Sequence, residues 1–268
     1  MPLRIKQKYG RDGKLNAGNA SLRRFYVSPE KAHSDPLEIT GSEARHIFRV
    51  LRLSKGDSVE LFDGTGTFYR ARILSFSNDR VQLNIVGSFK GRTESPVQIT
   101  LAQGFLKERK MEKLIRPLTE LGIFCWMPFY ATRSVPTMKE NRLQKKRTRW
   151  EAIALESVKQ CKRGQILRIE TAASFSEVMK ASKKTELRLL FYEEKAKGFE
   201  TPVSPSAKPD SIMVVIGPEG GFSVEEVQEA RANGFFTVGL GPRILRAQTA
   251  AVVACTLVQY LYGDMGKQ

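Results

Sequence analysis

The chain has 268 residues, with 44 Lys and Arg against 28 acidic residues and a formal charge of +16. That length holds one large or two moderate domains, and the charge points to a polyanionic partner such as nucleic acid. Residues 250–258, the longest apolar run, are interrupted by Thr256 and too short to span a bilayer. No charged-then-apolar leader opens the chain, so we expect a cytoplasmic protein with no membrane partner.

Residues 1–21 carry Arg4, Lys6, Lys8, Arg11 and Lys14 among glycines and asparagines, with no hydrophobic period. They read as a disordered basic tail. Asp12 and the glycines oppose an organellar targeting segment. Residues 22–92 read as a small β-barrel. Strands are expected at 24–27, 58–62, 68–74 and 81–86, with Asp63-Gly64-Thr65-Gly66 as a hairpin turn and a short helix over 41–51 capped by Ser42. His46, Arg49, Arg52 and Lys55 are placed to face phosphates, or form a solvated face.

Residues 93–268 alternate strands with helices, which predicts a mostly parallel sheet covered on both faces. A strand over 97–102 leads to a helix over 107–122, whose Met111, Leu114, Ile115, Leu118 and Leu121 share a face. Pro117 predicts a kink or restart there. A strand over 123–130 precedes a helix over 139–162, with Leu143, Trp150, Ile153, Ala154 and Val158 as its buried stripe. Its other side carries Lys145, Lys146, Arg147 and Arg149. Between Lys139 and Arg149 stand six basic residues and one acidic. So lopsided a run favours an RNA-facing surface over a merely solvated one. Further strands are expected at 166–169, 187–192, 213–216 and 236–240. Cys125, Cys161 and Cys255 are widely spaced, with no CxxC or His cluster, and read as reduced thiols without a metal.

Two strands run into tight glycine turns and then helices. Residues 217–221 (GPEGG) reverse the chain before Ser223, with Glu226 three residues on in a capping-box pattern, and that helix should end near Asn233-Gly234. Gly241-Pro242 precedes a long helix expected over 244–262. Such turns offer backbone groups to a ligand at strand carboxyl ends, or simply make tight connections. A GxGxxG and a Walker lysine are both missing, and Glu219 makes this a poor cradle for polyphosphate.

IGPEGGFS at 216–223, followed by LGPRILRAQTA at 240–250, strongly resembles the RsmE-type 16S ribosomal RNA (uridine N3) methyltransferases of the SPOUT class. The resemblance runs from about residue 23 to residue 262. HIFRVLRLSKGD at 46–57 with the later DGTG is similar to the PUA-like RNA-binding domain at the start of that family. The resemblance implies an α/β fold, with a C-terminal SPOUT-like trefoil-knotted domain behind an N-terminal PUA-like barrel. It implies S-adenosylmethionine as cofactor without a metal, a homodimer, and 16S rRNA or the small ribosomal subunit as partner. Cofactor contacts are expected at Phe191, at Ile216, Gly217, Gly220 and Gly221, and at Leu240, Ile244, Leu245 and Thr249. A valine at Gly220 should therefore fill ligand space. The uridine anion would be stabilised electrostatically by Arg246. Glu219 would orient or deprotonate the base, or cap the helix that follows. RNA contacts are expected at Arg24, Arg49, Arg52, Arg133, Lys145, Lys146, Arg147 and Arg163.

Four positions depart from the family pattern: Gln248 stands where Glu is common, Pro117 for Lys, Lys159-Gln160 for Glu-Gln, and Leu167 for Pro. Gln248 loses a charge that would balance Arg246. If that charge limits turnover, Gln248→Glu should raise the rate. These departures motivate the alternative, an RNA-binding ribosome assembly factor that has lost turnover.

Overall fold

A computed structural model describes residues 22–77, 79–107, 109–134, 138–192 and 208–266; the expected basic tail lies outside them. The first sheet has the order β1-β3-β4-β5-β2, from β1 (Arg24–Tyr26), β2 (Leu37–Thr40), β3 (Ser58–Phe62), β4 (Thr67–Ser77) and β5 (Arg80–Lys90). All its ladders are antiparallel except β1 with β3. Alternation along the strands buries Ile39, Val59, Leu61, Ile73 and Leu83 on one face. The DGTG turn joins β3 to β4 as expected. Asp63 accepts hydrogen bonds from the Thr65 amide at 2.8 Å and the Tyr69 hydroxyl at 3.0 Å. Burial raises its pKa, but donors on Thr65, Tyr69 and Thr67 outweigh this and hold the carboxyl below its ordinary value.

The helix expected over 41–51 is different. Helix α1 (Gly41–Arg45) has Thr40 at its N-cap, with no side-chain cap bond, and gives way to a π-helical turn at His46–Val50. Ser42 sits inside the helix instead of capping it.

The second sheet is parallel throughout and ordered β12-β10-β11-β6-β7-β8, with β9 beside β7. In chain order these are β6 (Gln98–Gly104), β7 (Cys125–Tyr130), β8 (Arg168–Ile169), β9 (Ala173–Ser174), β10 (Leu187–Phe191), β11 (Ser211–Ile216) and β12 (Phe236–Val238). Helices α2 (Lys110–Glu120), α3 (Glu140–Cys161) and α6 (Ala247–Tyr262) cover one face. Helices α4 (Phe175–Ser182) and α5 (Val224–Ala232) cover the other. Both faces of β11 are therefore buried, Val214 and Ile216 towards the first set and Met213 and Val215 towards the second.

Helix α2 continues through Pro117 in one run, so no restart occurs. The proline forfeits one backbone bond, and the buried stripe Met111, Leu114, Ile115 and Leu118 holds the helix in place. Helix α5 carries the expected capping box. Ser223 Oγ accepts from the Glu226 amide, and the Glu226 carboxylate accepts from the Ser223 amide at 2.9 Å. Helix α6 begins at Ala247, not 244, which leaves Ile244 and Leu245 in the preceding loop.

The two sheets are joined by a polar web. Arg163 is only 3% exposed. Its Nε and Nη2 both donate to Glu94, at 3.0 and 2.9 Å. Its Nη1 donates to the carbonyls of Thr119 and Ile123 at 2.8 and 3.2 Å. Glu94 also accepts from the amides of Gly164 and Gln165. Lys159, one of the departures, pairs with Glu43 of α1 and Glu156. Burial opposes its charge, but those two carboxylates hold its pKa above the ordinary value. Phe62 and Phe68 pack against Val158 of α3 in the same junction.

Candidate active site

Parallel α/β sheets bind ligands at the carboxyl ends of their strands, where loops diverge. A cleft of about 360 Å³ opens there, within the range of small-molecule sites. Phe191 ends β10, Ile216 ends β11, Leu106 lies just beyond β6, and Ile244 to Ala247 lead into α6; all line the cleft. The 217–221 turn forms one wall. It can approach β6 closely because Gly104 has no side chain: a Cβ there would stand 2.6 Å from the Pro218 nitrogen. Gln103, fully buried, ties the joint by donating from Nε2 to the carbonyls of Gly104 and Gly217 at 3.0 and 3.2 Å.

Of the expected cofactor contacts, Phe191, Ile216, Gly217, Gly221, Ile244 and Leu245 line this cleft, while Gly220, Leu240 and Thr249 do not. Gly220 faces Arg133, whose Nη1 donates to its carbonyl at 3.2 Å. A valine at 220 would therefore press on Arg133, not fill the ligand space. Gly221 is the turn residue that needs glycine, with φ of 69° on the cleft wall. Leu240 packs on the core, and Thr249 is exposed on the first turn of α6.

Lys110 and Phe222 line the cleft without having been expected as contacts, and Tyr192 and Gln248 line it within the loops expected to touch the cofactor. Gln248 is the most informative. Its Nε2 is buried with no hydrogen-bond partner among the described residues. A buried unpaired amide is costly, so a ligand acceptor in the cleft would satisfy it.

Arg246 and Glu219 both line the cleft but are held differently. Arg246 is exposed at the N-cap of α6, with no carboxylate partner among the described residues. Glu219 accepts from the Lys107 amide at 3.1 Å and from Lys110 Nζ at 3.1 Å, so it braces the approach to α2. It does not cap α5; Ser223 and Glu226 do.

The expected RNA contacts also separate. Arg49, Arg52 and Lys145 are exposed, Lys146 and Arg147 are half-buried, and Arg147 pairs with Glu151 at 2.9 Å. Arg133 is exposed beside the 217–221 turn. Arg24 is held by Glu60 and lies over the Phe68 ring at 4.7 Å. Arg163 is buried in the junction and cannot meet a phosphate. Among the described residues, no group of three or more His, Cys, Asp or Glu is arranged to hold a metal ion.

Residues 93–259 match the RNA methyltransferase domain, and residues 39–86 match the RNA methyltransferase PUA domain. Fold and cleft thus define the class: an RNA methyltransferase with a PUA domain ahead of an α/β domain of the SPOUT type. A Bacillus subtilis relative, ribosomal RNA small subunit methyltransferase E, is 32% identical over 89% of this chain and 96% of its own. The chain belongs to that family. A solved structure of a putative methyltransferase from Legionella pneumophila, in complex with S-adenosylmethionine, superposes with a TM-score of 0.80 at 30% identity, covering 92% of this chain and all of that one. The ribosomal RNA small subunit methyltransferase E of Neisseria gonorrhoeae, bound to S-adenosylmethionine, gives 0.78 at 27% identity, over 91% of this chain and all of that one.

Proposed function

We propose that this chain transfers a methyl group from S-adenosylmethionine to N3 of a uridine in 16S ribosomal RNA. The observation that carries this is the cleft itself: both motif loops, 216–223 and 240–250, converge on one site beside a buried amide that has no partner among the described residues, in a chain that its relatives match over about nine-tenths of its length. The residues present fit the cofactor. Leu106, Phe191, Ile216, Ile244 and Leu245 give apolar walls, and Gln248 offers a donor.

The bound cofactor supplies an electrophilic methyl group on sulfur. For transfer, the uridine N3–H must lose its proton to solvent, leaving charge on the two flanking carbonyl oxygens. The N3 electron pair would then form the new bond to the methyl carbon, and the carbon–sulfur bonding pair would leave with sulfur. Arg246, at the rim with no carboxylate partner among the described residues, stabilises the charge on the oxygens, where one well-placed donor contributes about 10²- to 10³-fold. Glu219 keeps Lys110 and the start of α2 in place around the cleft. Calorimetry with S-adenosylmethionine, then methyl transfer to small subunits lacking the modification, tests the reading. No heat of binding would leave the assembly-factor alternative standing.

The RNA path in this reading crosses α3. Lys145, Lys146 and Arg147 replaced together by Ala should weaken RNA binding for all sequences alike, because phosphate contacts carry no base information. The slope of log affinity on log salt should flatten by about 0.7 to 0.9 per lost contact, while cofactor affinity stays unchanged. Titration at several salt concentrations reads this. Coincident slopes would make the helix a solvated surface only.

The same reading includes a homodimer, a knotted path through the cofactor loops, and work in the cytoplasm. Helix α6 supports the dimer. It contains no charged residue, and it buries Ala251, Ala254, Cys255 and Val258 inward. Val253 and Leu257 remain half-buried and Tyr260 exposed on its other side. Light scattering on Leu257→Arg should then report a monomer. No helix among the described residues is long and apolar enough to cross a membrane.

A further inference from the structure

The β-rich domain presents an aromatic pair that its core does not use. At the π-helical turn His46–Val50, the Leu51 amide donates to the His46 carbonyl at 3.0 Å, one residue further back than in an α-helix. The wider turn keeps Ile47 fully buried while Phe48 and Val50 stand out, 52% and 65% exposed. Such π-turns are uncommon and tend to occur at functional sites. Phe48 is not loose. Its ring lies 5.3 Å from that of Phe76, tilted by 43°, and Phe76 packs on the domain core.

The charge around this pair is one-sided. Residues 45–55 carry Arg45, Arg49, Arg52 and Lys55 and no Asp or Glu. Arg45 is near Asp79, whereas exposed Arg49, Arg52 and Lys55 have no carboxylate partner among the described residues. The core of a protein-docking patch is usually depleted in charged residues, lysine among them. A braced aromatic ring among unneutralised cations is instead what single-stranded nucleic acid requires, a stacking face and phosphate contacts together.

We propose that Phe48, backed by Phe76, stacks an unpaired base of the RNA, while Arg49, Arg52 and Lys55 hold the phosphates on either side. This rests on the reading of the chain as acting on RNA, and adds to it a preference for a single-stranded or splayed segment. In a duplex both faces of every base are already stacked, so the ring would find nothing to cover.

The test uses the full chain and a single-stranded RNA oligonucleotide carrying 2-aminopurine, whose fluorescence is quenched by stacking. The parent should quench it. Phe48→Ala should lose the quench and bind roughly 5- to 150-fold more weakly, with its salt slope unchanged and its affinity for a fully paired duplex unaffected. Arg49→Ala and Arg52→Ala should each flatten the salt slope by about 0.7 and retain the quench. Phe48→Trp should behave as the parent does. Phe48→Leu keeps an apolar cover on Phe76 and guards against a folding defect. If it binds and quenches like the parent, the contact is merely hydrophobic, as a protein partner would make, and the proposal fails. An unchanged affinity for Phe48→Ala overturns it as well. S-adenosylmethionine titrations on the same variants keep the two readings apart. Loss of cofactor binding in the parent would count against the methyltransferase reading, whereas a parent that methylates beside an indifferent Phe48→Ala would sink the stacking site alone.

Discussion

Replacing Arg163 with Met is expected to destabilise the chain by about 3 to 5 kcal/mol, as when one partner of a buried ion pair is removed. The guanidinium is 3% exposed and satisfies Glu94 and the carbonyls of Thr119 and Ile123 at once. Methionine keeps the apolar stem but leaves the carboxylate and two carbonyls without the guanidinium's donors. Glu94 lies between the two sheets and also holds the Gly164 and Gln165 amides, so the junction should loosen with it. Thermal unfolding would show a drop on the order of 10 °C for a chain of this size. A double variant, Arg163→Met with Glu94→Gln, should recover part of the loss by removing the stranded charge. Should Arg163→Met melt like the parent yet lose RNA affinity, the arginine is an RNA contact after all and the junction holds by other means.

Arg163 shows where reading the sequence ran out. Its neighbours Lys159 and Lys162 are basic, and nothing within ten residues announces Glu94. The same limit hid Glu219, whose partners Lys107 and Lys110 are more than a hundred positions away. The site loops were legible because their chemistry is local. Apolar runs end in glycine turns, Ser223 and Glu226 stand at capping spacing, and φ of 69° at Gly221 demands glycine. Lining residues such as Leu106 and Lys110 were not, because they reach the cleft only when β6 pairs with β11. Where α6 begins was also a tertiary matter. Ile244 continues the apolar pattern, yet the structure leaves it in the loop, 80% exposed at the cleft.

That pairing makes Gly104 a sensitive position for cofactor binding although it does not itself line the cleft. A Cβ at Gly104 would lie 2.6 Å from the Pro218 nitrogen, 2.8 Å from its Cδ and 2.9 Å from the Gly217 carbonyl carbon. None of these is the movable end of a flexible side chain, so the 217–221 turn must shift as a piece. Overpacking of this kind costs about 1 to 3 kcal/mol. The shift would also strain the bond from Gln103 to the Gly217 carbonyl and carry Gly221 off the cleft wall. Gly104→Ala should therefore weaken S-adenosylmethionine binding by about tenfold or more, at 1.4 kcal/mol per decade, while RNA affinity at the β-rich domain stays as it was. Gly87→Ala is the control, since a Cβ there meets nothing within 4 Å. Calorimetry on the parent and both variants decides the matter. If Gly104→Ala binds the cofactor as tightly as Gly87→Ala does, the close approach of β6 and the 217–221 turn is not what shapes the cleft, and the wall must be set by the loop before α6 alone.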